Sequence, residues 1–287
     1  MTIAAGFVCS DGVLLASDTL YSSTGMGLKY GPKFWILNHG DVLVAFGGAG
    51  SEAGLLRTRD EIDRKLSSGQ SLIRVLDIID SSLQKVSNKL PDHPDWKSHC
   101  LIAIRVNGQT LLYENSAGSN MLSPVQQACQ CVGYAQSLGW YFAASLFHAG
   151  MSIRWAKIVA AHLVKNTKEY VETVGGDTHL VEVPHVGTPR RIENKSEIAD
   201  LEAYLGPVAQ AMTAVLPDET TNEETIRARL LIVKAAIDKA VRSMVIEPPT
   251  GGMTFQSGST SFAYDASQTP LVLRLSATQP PQDSEEK

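Results

Sequence analysis

Three tight turns, each set between two short apolar runs, commit much of this chain to antiparallel sheet. Residues 2–9 and 13–17 flank Ser10-Asp11-Gly12, residues 34–37 and 42–46 flank Asn38-His39-Gly40-Asp41, and residues 100–106 and 110–114 flank Asn107-Gly108. Asp-Gly and Asn-Gly supply the positive φ that two-residue hairpin loops require. Strands joined by so few residues pair antiparallel, because a parallel neighbour needs a long crossover. Between the hairpins the apolar period changes to that of helices. Leu55, Leu56, Ile62 and Leu66 follow Ser51, which is placed to cap a helix, and Leu72, Val75, Leu76, Ile79, Leu83 and Val86 mark a second helix over residues 70–90 that Pro91 and Pro94 end. A strand at 129–134, helices at 137–149 and 152–172, and a strand at 178–183 complete the pattern. Residues 19–28 read as a polar, Gly-rich loop. Hairpins separated by pairs of helices predict an α+β chain with helices on both faces of a two-sheet sandwich.

From about residue 184 the character changes. Two amphipathic helices are expected at 197–216 and 222–245, then a break at Pro248-Pro249-Thr250-Gly251-Gly252 and strands at 259–264 and 271–276. The polar, Pro-containing residues 277–287 have the composition of a disordered tail. The predicted organisation is therefore a core over 1–183, an extension of two helices and late strands over 184–276, and a tail over 277–287.

Composition excludes several functions. The 287 residues carry a formal net charge of −5, which leaves no basic stripe for nucleic acid, and Arg190-Arg191 reads as part of a solvated loop. No apolar run approaches the ~18 residues of a membrane helix. The N-terminal run has no basic start, so no secretory signal is expected. Cys9, Cys100, Cys129 and Cys131 sit in strand-like segments as reduced structural residues, which fits a cytoplasmic protein. The seven histidines have no metal-ligand spacing and the Gly-containing turns lack a following Gly-Lys-Thr, so neither metal nor cofactor is expected.

Chemistry is expected at the N-terminal hairpin. Removal of Met1 would leave Thr2 with a free α-amine, whose unperturbed pKa is about 7.7–8.0, beside its own hydroxyl. A hydroxyl becomes an effective nucleophile when a base takes its proton, and that amine can be the base. The strands around Ser10-Asp11-Gly12 are of similar length, so Asp18 returns to the level of Thr2. Lys33 starts the next strand pair and Gly47-Gly48-Ala49-Gly50 ends it.

Thr2, Ala16-Ser17-Asp18, Lys29-Tyr30-Gly31-Pro32-Lys33-Phe34 and Ala45-Phe46-Gly47-Gly48-Ala49-Gly50-Ser51-Glu52-Ala53 together resemble the proteasome β-type subunits and the bacterial heat-shock proteasome-like peptidases. The resemblance covers about residues 2–183 and implies the αββα fold of N-terminal-nucleophile hydrolases. It implies Thr2 as nucleophile and base, Lys33 as the ammonium that lowers the amine pKa, Asp18 as its partner, Gly48 as the oxyanion-facing amide and Glu172 as a further acid. Tyr21, Gly31, Trp35 and Phe46 would border the substrate. Gly175 and Tyr134 stand where the family has serines. The implied function is a threonine peptidase in a homo-oligomeric ring that acts on peptides or unfolded protein, with an ATP-dependent unfoldase if folded proteins are taken. Two alternatives keep the same fold: a small-molecule amidase, and a catalytically silent scaffold subunit.

Overall fold

A computed structural model describes residues 2–23, 27–90, 98–115, 121–206, 253–257, 260–264 and 274–276. The chain divides into two compact units, Met1–Leu205 and Gly206–Lys287.

The first unit holds two five-stranded antiparallel sheets. One contains β1 (Ile3–Cys9), β2 (Gly12–Asp18), β10 (Cys129–Gly133), β11 (Thr178–Pro184) and β12 (Arg190–Ile192), in the order β10-β1-β2-β11-β12. The other runs in simple sequence order, β5 (Phe34–His39), β6 (Val42–Ala49), β7 (His99–Val106), β8 (Gln109–Asn115) and β9 (Ser123–Pro124). All three predicted hairpins are present, as β1–β2, β5–β6 and β7–β8. At the β7–β8 turn Asn107 and Gly108 take φ of 53° and 75°, the pair of positive values that a type I′ turn needs.

Helices α1 (Glu52–Asp63) and α2 (Leu72–Ser87) lie between β6 and β7 in sequence, and α3 (Gln136–Leu146) and α4 (Ile153–Tyr170) between β10 and β11; α5 (Lys195–Tyr204) follows β12. Ser51 caps α1 by accepting from Gly54 N at 3.3 Å, and Asn194 caps α5 by accepting from Ser196 N at 2.9 Å. Three apolar clusters account for the packing. Phe7, Leu14, Ala16, Val159 and Leu163 join the first sheet to α4. Val44, Phe46, Ile102, Leu55, Ile62 and Ile79 join the second sheet to α1 and α2. Ala4, Leu15 and Val181 of the first sheet meet Ala45, Leu101 and Leu112 of the second. Alternation along each strand produces this division, because neighbouring side chains leave opposite faces. Burying a residue such as Phe7 or Phe46, both 0% exposed, contributes about 1.5–3 kcal/mol.

The structure departs from expectation in three places. Residues 19–28 are not simply loop: β3 (Leu20–Ser23) and β4 (Gly27–Tyr30) pair antiparallel. Four-residue strands are too short to show the period-two alternation that reveals a strand. Arg190 and Arg191 lie in the edge strand β12, where Arg191 donates to the Phe34 carbonyl at 2.8 Å, so the pair is structural rather than a solvated loop. β12 and α5, beyond residue 183, belong to the first compact unit.

In the second unit β13 (Met253–Ser257), β14 (Thr260–Tyr264) and β15 (Arg274–Ser276) form a three-stranded antiparallel sheet. The helix expected at 222–245 and the tail at 277–287 lie outside the described residues, as does most of the helix expected at 197–216.

Candidate active site

Pairing of β1 with β2 places Ala4 opposite Ser17, so the entry to β1 and the end of β2 lie side by side. Lys33 enters from the segment before β5. Its Nζ donates to Thr2 Oγ1 and, at 2.6 Å, to Asp18 Oδ1. Asp18 and Lys33 are 0% exposed and Thr2 is 6% exposed. The structure thus brings together Thr2, Asp18 and Lys33, three of the residues singled out in the sequence. Burial pushes the Lys33 ammonium below the ordinary lysine value, and the charge and hydrogen bond of Asp18 pull it back up.

Asp18 is held from two further directions. Its Oδ1 accepts from Ile3 N at 3.2 Å, and its Oδ2 accepts from Gly175 N at 3.1 Å. The Gly175 carbonyl in turn accepts from Thr19 N at 3.3 Å and Leu20 N at 3.0 Å, so a single residue of the turn before β11 clamps the end of β2. A Cβ at position 175 would come within 3.2 Å of Leu20 Cδ2, which gives a packing reason for glycine there. At Gly176, φ is +76° and a Cβ would meet Thr19 Oγ1 at 2.3 Å. Sequence reasoning treated Gly175 only as a missing serine. Its signal was the Gly175-Gly176 pair itself, which marks a close backbone approach.

Two further residues implied as catalytic stand apart from the Thr2–Asp18–Lys33 side-chain contacts. Glu172 is exposed on the turn after α4 and is not among the hydrogen-bond partners of Thr2, Lys33 or Asp18. The Gly48 N–H donates to the Lys33 carbonyl at 3.2 Å, so the amide implied for an oxyanion is already engaged. Its φ of +152° and the 2.2 Å approach of a Cβ to the His99 carbonyl explain why this position is glycine.

The implied substrate residues also divide. Tyr21 adjoins Lys33, whose Nζ lies 5.2 Å from the ring centroid, and Gly31 N donates to the Thr19 carbonyl at 3.0 Å. Trp35 and Phe46 stack at 6.4 Å, with Arg59 over the Trp35 ring at 5.6 Å. Phe46 is fully buried in the cluster under α1 and α2, so it is a core residue before it is a pocket wall. Beside Thr2, Ala135 N reaches the Thr2 carbonyl at 3.5 Å, and Tyr134 is 70% exposed. Among the described residues no group of three His, Cys, Asp or Glu side chains is placed to hold a metal. No helix among them is long and apolar enough to cross a membrane.

No protein-family model matches the chain, and no curated protein matches it. Solved structures do. Anbu, an ancestral β-subunit, from Yersinia bercovieri aligns with a TM-score of 0.66 at 16% identity, over 77% of this chain and 100% of that one. Anbu from Hyphomicrobium sp. strain MC1 aligns with a TM-score of 0.64 at 13% identity, over 77% and 100%. A helical assembly of the Anbu complex from Pseudomonas aeruginosa gives 0.66 at 14%, over 77% and 99%. These matches correct the resemblance drawn from the N-terminal motifs. Anbu proteins are proteasome-like in fold but form a family distinct from the proteasome β-type subunits and heat-shock peptidases. At these identities, what the chain shares with its neighbours is an Anbu-like mixed α/β fold with antiparallel sheets.

Proposed function

We propose that this chain is an N-terminal threonine hydrolase that cleaves amide bonds in peptides. The observation that carries the reading is the buried Lys33, which donates to Thr2 Oγ1 while Asp18 holds it at 2.6 Å. With the Thr2 amine exposed, its neutral form takes the hydroxyl proton and Oγ1 attacks the amide carbonyl. The amine then returns that proton to the departing nitrogen, which leaves an ester on Thr2 that water hydrolyses to acid and free hydroxyl. The adjacent ammonium lowers the pKa of the amine and keeps it available as the base. The three apolar clusters support a four-layer αββα order around this site.

Assembly into a homo-oligomeric ring is part of the proposal. Trp140, Tyr141 and Leu146 of α3 and Tyr170 of α4 are exposed at 41, 68, 37 and 71%, an apolar surface that a further copy would cover. The four cysteines are free and buried, which suits a reducing, cytoplasmic setting. An ATP-dependent unfoldase enters only if folded proteins are substrates.

The test is Thr2→Ala, with N-terminal mass measurement on both proteins. Hydrolysis of peptide reporters is expected to vanish while fold and assembly persist; a variant that keeps more than about a tenth of the activity removes Thr2 as nucleophile. One observation favours a catalytically silent scaffold instead, the engagement of Gly48 N–H by the Lys33 carbonyl. A wild-type protein with an exposed Thr2 amine and no amide hydrolysis would decide for it.

A further inference from the structure

We propose that Tyr21 is a positioning residue for Lys33, its ring closing the third side of the ammonium and its hydroxyl fixing the backbone from which Lys33 departs. The inference rests on the threonine-hydrolase reading for its consequence, but not for its measurement.

An ammonium has three N–H donors. Lys33 gives one to Asp18 Oδ1 and one to Thr2 Oγ1, and no third acceptor for it stands among the described residues. The remaining neighbour is the Tyr21 ring, 5.2 Å from Nζ to centroid, within the ~6 Å at which the negative face of an aromatic ring attracts a cation. The ring is not free to drift from there. Its hydroxyl donates to the Pro32 carbonyl at 2.7 Å, one residue before Lys33. The Pro32 ring in turn limits φ at that residue, which removes one of the two backbone rotations that could carry the carbonyl away. A Cβ at Gly31 would come to ordinary contact with Tyr21 Cε2, at 3.5 Å, which shows how closely the Gly31-Pro32 segment lies along the ring. Tyr21 therefore ties the strand that carries it, β3, to both ends of the lysine: the backbone by hydrogen bond and the ammonium by its π face.

The groups facing this ammonium come from several elements. Asp18 lies at the end of β2, Thr2 before β1, and Tyr21 on β3. His179 of β11 senses the Lys33 charge, Glu52 of α1 acts on Tyr21, and Arg191 of β12 binds the neighbouring Phe34 carbonyl. Among the described residues Asp18 is the one carboxylate bonded to Lys33, and at full burial a single carboxylate has to offset the whole cost of desolvation. A ring face gives a second attraction without adding a negative charge that would raise the pKa of the Thr2 amine. An added acid would serve Lys33 and harm the base. An aromatic ring avoids that conflict.

The experiment follows the Nζ signal of Lys33 in 15N-lysine-labelled full-length protein, assigned by its absence in Lys33→Met, as pH is raised. In Tyr21→Leu the ammonium is expected to lose its proton about one pH unit lower than in the wild type. Tyr21→Phe, which keeps the ring but loses its anchor on Pro32, should titrate between the wild type and Tyr21→Leu. Tyr21→Met, without a π face, replaces the leucine variant if that one does not fold. The alkaline limb of peptide hydrolysis should move with the titration. Equal titration in Tyr21→Leu and the wild type overturns the proposal, and so does a shift in Tyr21→Phe as large as in Tyr21→Leu. The titration reads Lys33 whether or not the protein hydrolyses anything, so its outcome is separate from that of the peptide assay.

Discussion

The first unit holds charge in two contrasting ways. Lys33 and Asp18 face each other at 2.6 Å with no exposure. On α1, Glu61 gathers Arg64 and Lys85 at 2.7 Å and Lys65 at 3.2 Å, with Arg64 and Lys85 open to solvent and Lys65 partly so. In water an ion pair gains little and costs little, so the Glu61 group ties α1 to α2 by a modest amount. Taking an ammonium and a carboxylate out of water costs several kcal/mol per ion, and their attraction offsets this only when the geometry is good. A fold seeking stability alone would fill the Lys33–Asp18 space with apolar side chains. A buried pair of this kind, touching a hydroxyl, is the placement that the proposed hydrolysis needs.

That contrast breaks most sharply at Asp18. Asp18→Ala leaves Lys33 buried without its countercharge and is expected to destabilise the fold by about 3–5 kcal/mol, read as a lower denaturant midpoint. The double variant Asp18→Leu with Lys33→Met should recover most of that loss while abolishing hydrolysis. A single variant that costs under about 1 kcal/mol would erase the distinction between the two clusters.

Next comes rate. Lys33→Ala should lower kcat/KM on a peptide reporter by about 10²-fold or more, the range of positioned proton transfer. Lys29, which pairs with Glu52 at 2.7 Å on the surface, offers the matched control. Lys29→Ala should change stability by less than about 1 kcal/mol and rate far less than Lys33→Ala. If Lys29 mattered more, the roles of the two lysines would be reversed.

The smallest effect belongs to Glu61. Hydrogen bonds from Arg64 and then Lys85 hold its carboxyl down to about 2, below the ordinary glutamate value of about 4.3. A depressed folded pKa means that its contribution is complete above the unfolded value and is lost as pH falls toward about 2. Glu61→Gln should therefore melt slightly below the wild type at neutral pH, and the two melting curves should converge between about pH 4 and 2. A gap that stays constant with pH would mean that the carboxylate charge contributes nothing.

Much of this was legible in the sequence, and the limits have physical causes. Asp11-Gly12 and Asn107-Gly108 revealed their hairpins because turn chemistry is local. The stripe from Leu72 to Val86 located α2 because one face of that helix is wholly buried. Asp18 could be paired with Thr2 because a hairpin of known length returns to its start, whereas Lys33 was reached only through the family resemblance. What stayed hidden depends on contacts far apart in sequence. The Gly175 amide acts as a ligand of Asp18, yet a backbone donor has no residue identity to read. Glu172, placed by analogy, is exposed instead. The β3–β4 pair is too short to carry a period, and Tyr21 could be recognised as a neighbour of Lys33 only once Pro32 was seen to accept its hydroxyl.

The bond from Gly175 N to Asp18 Oδ2 spans 157 positions of chain. At roughly 5–20 residues per second on the ribosome, the second half of that bond emerges about 8–30 s after the first. β11, which pairs with β2 along Asp18↔Thr178, arrives later still. Until then the carboxylate that anchors Lys33 has lost one of its fixed donors and the edge of its sheet. A nascent chain therefore carries Thr2, Asp18 and Lys33 without the frame that makes them a unit. The Thr2–Asp18–Lys33 cluster is therefore completed only when most of the first unit has been made.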